Sequence, residues 1–117
     1  MGQTIYLAIC ESWFFLGDYH DEREEACKIF GVFRNLEDAK QVLLLDRDKN
    51  IDPKSFNEAN YFEFINFIKN KKGYDEYIEM YNTYKQYPFF EVLSNESFTN
   101  CIEGETFFYY VKPIELQ

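Results

Sequence analysis

The chain has 117 residues, the size of one domain. Folding it buries roughly two thirds of the unfolded surface, so neither a metal nor a disulfide is required to hold it together. Its 21 acids and 12 bases give a net charge of −9, which argues against a nucleic-acid binder that neutralises phosphates. Phe, Tyr and Trp make up 21% of it, too apolar for a disordered acidic tail.

The longest apolar run, Ile5 to Cys10, is too short for a bilayer span. The first ten residues hold no Lys or Arg, against a secretory signal, and Tyr6 replaces the Ser or Thr of a myristoylation start. Cys10, Cys27 and Cys101 are odd in number and form no Cys-x-x-Cys pair, so they read as reduced cytosolic thiols. One bridge stays open on topology, Cys10 to Cys27 across two paired strands. Asn95-Glu96-Ser97 matches a glycosylation acceptor, which matters only in a secreted protein.

In chain order, the alternation of Thr4 to Cys10 predicts a strand with two apolar faces. Glu11 to Cys27 reads as a long loop, aromatic at first and acidic after Gly17. Lys28 to Arg34 is a second strand, with Ile29 and Phe33 on one side and Phe30 and Val32 on the other. Gly31 within it signals a bulge. Asn35 caps a helix carrying Leu36, Ala39, Val42 and Leu43, which ends at the polar stretch Asp46 to Asp52. Ser55 and Glu58 form a capping box for a second helix with Tyr61, Phe64, Ile65 and Ile68 at helical spacing, stopped by Gly73. Tyr74 to Gln86 is a third helix. Phe89 to Leu93 and Thr106 to Lys112 are the last strands, with Pro113 closing the sheet.

The order β-β-α-α-α-β-β predicts one α+β domain, residues 1–117. It is a four-stranded, mostly antiparallel sheet with the helices packed on one face. The other face is then aromatic and open, or pairs with a second copy in a homodimer.

Negative charge is uneven. Residues 1–25 carry net −5, residues 26–73 net +2 and residues 74–117 net −6. If the terminal strands are neighbours, the two acidic blocks merge into one surface, suited to a basic partner.

Motifs for chemistry are sparse. Asp46-Arg47-Asp48-Lys49-Asn50 begins like a calcium loop, but Ile51 and Asn57 stand where Gly and a bidentate Glu belong. His20 among Asp18, Asp21, Glu22, Glu24 and Glu25 is a lone imidazole, short of the several His or Cys ligands of a zinc site. It is also the one His available to any cysteine nucleophile. Arg34, Lys69, Lys71 and Lys72 form no basic aromatic platform for direct nucleic-acid binding. The expectation is a non-enzymatic protein without metal or cofactor.

Tyr74, Tyr77, Tyr81, Tyr84 and Tyr87 fall near one face, beside Asp75, Glu76 and Glu79. Tyrosine serves well as a stiff interface anchor. Glu22, Glu24, Glu25, Asp75, Glu76 and Glu79 are therefore expected to supply charge, and Tyr77 and Tyr81 the anchors, of a partner-binding surface. That surface would occlude a basic groove of a nucleic-acid-handling protein. In being small, acidic, aromatic and without a catalytic motif, the chain is similar to the inhibitors that phages and mobile elements deploy against host defence, such as anti-CRISPR proteins. The similarity implies a cytoplasmic protein, in the host cytoplasm if phage-encoded. The alternative is a small-molecule-sequestering domain with a pocket lined by Trp13, Phe14 and Phe15.

Overall fold

The computed structural model describes residues 2–16, 23–69, 75–96 and 103–116, and leaves undescribed the side chains of residues 15, 16, 23, 24 and 103. Four strands and three helices follow in the expected order: β1 (Gln3–Leu16), β2 (Arg23–Phe33), α1 (Leu36–Asn50), α2 (Glu58–Ile68), α3 (Asp75–Tyr84), β3 (Phe89–Ser94) and β4 (Glu103–Leu116). The strands form one antiparallel sheet ordered β2-β1-β4-β3. The two terminal strands are thus neighbours at its centre, paired from Gln3–Leu116 to Leu16–Glu103. Among the described residues no helix is long and apolar enough to cross a membrane.

β1 is longer than its apolar run. Glu11 to Phe15 stay in register with both β2 and β4, and Leu16 with β4, so the expected loop from Glu11 to Cys27 is a ladder for most of its length. Glu11 does not break the strand because two tyrosine hydroxyls meet its carboxylate there. β4 likewise continues past Pro113 to Leu116. β3 begins opposite Val111 and pairs with nothing beyond it, so Pro113 has a strand on one side only and its missing N–H costs little.

Helix starts follow local chemistry. Asn35 Oδ1 accepts from the Asp38 N–H at 2.9 Å, as its position predicts. α1 then runs through the polar stretch to Asn50, which places Asp46 to Asn50 in helix rather than in a calcium-type loop. Asp46 accepts from the Tyr109 hydroxyl at 3.0 Å, and Arg47 Nη1 lies 2.7 Å from both oxygens of Glu91. α2 is capped by Asn57, not Ser55. Asn57 Oδ1 accepts from the Asn60 N–H, while Ser55 Oγ donates to Asp52. The cap moves because Asn57 is tied by two backbone hydrogen bonds to Ser94 at the end of β3.

The helices do not share one face. Ala39 and Leu43 of α1 pack on Ala8, Cys10, Tyr109 and Val111. Tyr61, Phe64 and Ile68 of α2 and Tyr77 of α3 pack on the opposite side, against Ile9, Trp13, Val92, Phe108 and Tyr110. This corrects the expected single helical layer with an open aromatic face. The central strands are apolar on both sides, and each side buries its own helices. Trp13 anchors the second cluster, edge-on to Phe108 at 4.6 Å and Tyr77 at 4.7 Å.

The anticipated bulge lies in β2. The register slips between Ala8 and Ile9, leaving Phe30 as the extra residue, and the adjoining Gly31 has φ +152°. It reverses the predicted alternation. Val32 stands opposite Leu7 and Ile29 opposite Ile9, so both face the α2–α3 side, while Phe30 and Phe33 join the α1 side. Cys10 and Cys27 also diverge. Cys10 belongs to the α1 side and Cys27, opposite Glu11, to the other; both are free thiols. Cys101 lies outside the described residues.

Because the sheet separates the two cores, their losses should add. Leu43→Ala is expected to cost about 2–5 kcal/mol and Val92→Ala roughly 2 kcal/mol. Urea unfolding of the double variant should give the sum to within about 0.5 kcal/mol. A clear departure would show that the two faces are coupled.

Candidate functional site: an acidic cleft beside the third helix

A cleft of about 360 Å³ opens where α3 overhangs the β1–β2 ladder. Its strand side is a two-by-two patch set by register: Glu11 opposite Cys27, and Trp13 opposite Glu25. Its helix side is Glu76 and Met80, one turn apart on α3. Glu11 and Glu25 come from the acidic N-terminal block and Glu76 from the acidic C-terminal block; α3, and not a terminal strand, brings Glu76 to the other two.

Two hydroxyls place the Glu11 carboxylate. Its Oε2 accepts from Tyr84 Oη at 2.5 Å and its Oε1 from Tyr110 Oη at 2.6 Å. The two rings stack at 4.2 Å and 15°, with Tyr87 stacked on Tyr110 at 5.3 Å. Burial, reinforced by the Glu11 contact, pushes both phenols well above their ordinary range. They therefore remain donors throughout physiological pH. Glu25 and Glu76 are exposed at the rim.

Neither described thiol is shifted toward its thiolate. The Cys27 thiol is raised by desolvation and then by the Glu11 charge, the opposite of activation. Burial pushes the Cys10 thiol up to about 12. Among the described residues no three His, Cys, Asp or Glu side chains are grouped to hold a metal ion. His20, Asp18, Asp21 and Glu22 lie outside the described residues, as do Lys71, Lys72 and Tyr74.

Of the eight residues expected to bind a partner, Glu25 and Glu76 line the cleft. Asp75 and Glu79 are exposed on α3 but outside it. Glu24 stands opposite Phe14 in the ladder, and its side chain is outside the described set. Tyr77 must be corrected. It is 1% exposed and packed edge-on against Trp13, so it is core and not an anchor. Tyr81 is half-buried and turned toward α2, against Tyr61, Phe62 and Phe90. Of the residues expected to line an aromatic pocket, Trp13 and Phe14 both border a second depression of about 330 Å³ with Ser12, Glu25, Ala26 and Glu105, and the Phe15 side chain is not among those described. The period-two spacing of Ile9, Glu11 and Trp13 was the available sign that Glu11 belongs to the strand.

Behind Trp13 lies a buried acid. Glu96 is 5% exposed. Its Oε1 accepts from Trp13 Nε1 and Thr106 Oγ1, each at 2.8 Å, while Oε2 has no hydrogen-bond partner among the described residues. Burial raises this carboxyl to about 7, against the two hydrogen bonds that favour its ionised form. No protein-family model, curated protein or solved structure matches the chain.

The Glu96 environment has a signed consequence. A carboxyl raised on folding binds more protons in the native state than in the unfolded state between about pH 4.5 and 7. Its contribution is therefore most favourable at or below the lower value and is lost as pH rises through 7. Glu96→Gln keeps an acceptor for Trp13 and Thr106 and cannot ionise. It should melt higher than the parent at pH 8, with the difference shrinking toward pH 4.5. A difference that stays constant with pH would refute the assignment.

Proposed function

We propose that the chain is a small cytosolic binding protein whose acidic cleft receives basic side chains of a nucleic-acid-handling protein and so blocks its nucleic-acid groove. It would act as an inhibitor without a reaction or cofactor of its own. That is the strategy of anti-defence proteins of phages and mobile elements, of which anti-CRISPR proteins are one kind. The observation that carries the reading is the meeting of Glu11, Glu25 and Glu76, distant in sequence, in one cleft. Like charges brought together around a concave surface focus a negative potential, which speeds and orients docking of a basic surface and repels nucleic acid itself. Glu11 is pre-positioned by Tyr84 and Tyr110, which lowers the ordering cost of using it.

The test is capture from lysate at low and high salt, followed by affinity measurement with the captured protein. Association should weaken roughly tenfold or more on raising salt from low to well above physiological strength. Glu25→Lys with Glu76→Lys should weaken it by at least about tenfold, chiefly through a slower on-rate. Asp75→Lys with Glu79→Lys, outside the cleft, should do markedly less. Equal effects from the two pairs, or binding indifferent to salt, would overturn the reading.

A further inference from the structure

The cleft does not end at its acids. Along β2, on the same side of the sheet, Ile29 is 59% and Val32 57% exposed. In a regular strand, residues three apart point to opposite faces. The bulge at Phe30 turns both to the α2–α3 side, where Leu7 and Ile9 of β1 lie beside them. α1 covers β2 only from the other side, and α2 packs over β3, at the far edge of the sheet. Strand β2 therefore carries an uncovered apolar strip that runs directly into Cys27, Glu25 and the cleft. From Val32 to Glu25, opposite Leu7 to Trp13 of β1, strip and cleft together span about 20 Å, the length of a helix of roughly 13 residues.

We propose that strip and cleft form one docking surface for an amphipathic, cationic helix of the partner, laid on β2 beside α3. Its apolar side would cover Ile29, Val32 and Leu7, and Lys or Arg at one end would meet Glu11, Glu25 and Glu76. The exposed side chains stand on the sheet's face and not along its hydrogen-bonding edge, so a cover must lie on top of the sheet. Charge fixes its direction. Lys112 is exposed and stands opposite Leu7 at the other end of the strip, which leaves the carboxylate end for the bases. Charge also disfavours a second copy, which would bring net −9 and the same three carboxylates. The inference rests on the proposed basic partner and adds the shape and apolar character of the segment recognised.

The probe is a synthetic helical peptide of about 14 residues, with leucines on one face and its lysines gathered at one end. Its controls are a shuffled peptide and one with Glu in place of Lys. Titrated into isotope-labelled protein, the probe should shift amide signals of Leu7, Cys27, Ile29 and Val32, and the controls should not. Ile29→Thr with Val32→Thr, at sites already exposed, should keep the fold and melting temperature and lower probe affinity by roughly tenfold. Glu25→Gln with Glu76→Gln should reduce its salt dependence. Absence of shifts at millimolar probe, equal binding of a control, or unchanged affinity in the threonine pair would overturn the proposal. So would a dimer in sedimentation that the threonine pair dissociates. With the captured natural partner, loss of binding on acid reversal but not in the threonine pair would sink the helix-docking surface and leave the acidic inhibitor standing. The converse would overturn both, because the same acids place the cationic end of the helix.

Discussion

The pairing of the two terminal strands is the constraint on which everything else depends. β1 and β4 run antiparallel for their full length at the centre of the sheet, so each needs a neighbour on its other side and cover on both faces. The intervening segment supplies both. It provides β2 and β3 as edges, α1 as one cover, and α2 with α3 as the other. A sheet whose central residues alternate between two apolar cores leaves no side for a solvent-exposed aromatic face. The aromatic residues that crowd the end of the chain, Phe107 to Tyr110, are divided alternately between those cores.

The same pairing creates the polar problems of the interior and shows how they are met. Glu11 sits in a central strand, where an unpaired carboxylate would be costly, and two phenols occupy both its oxygens. Glu96 is buried against Trp13, and that burial holds it nearer neutrality than an ordinary carboxyl. These acids have different uses. Glu11 contributes a fixed, hydrogen-bonded oxygen pair to the floor of an open cleft. Glu96 is enclosed and couples the indole of Trp13 to the segment that follows β3.

On the proposed reading, the cleft and the exposed strip on β2 form one surface for recognition. Its charge comes from residues distant in sequence, its floor is rigid because it is ladder and packed aromatic, and its rim carboxylates are exposed. Those are properties of a binding face: focused potential for encounter, apolar area for retention, and little to be ordered on contact.

Much of the fold was legible in the residues. The alternation of Thr4 to Cys10, the Asn35 cap, the helical spacing of Tyr61, Phe64 and Ile68 and the glycine of the bulge are local signals, and local chemistry produced the elements they predict. Half of the acidic site was also legible, as two blocks of charge that would merge if the terminal strands met. What the sequence alone left open depends on contacts between distant residues. Glu11 reads as a break until the hydroxyls of Tyr84 and Tyr110 are brought to it. Tyr77 reads as an anchor until Trp13 packs on its ring. Ile29 and Val32 read as opposite-facing until a single extra residue shifts the register. Periodicity reports which positions share a face, but only the assembled sheet decides which face finds a partner and which is left to water, because burial is a property of the neighbours and not of the strand.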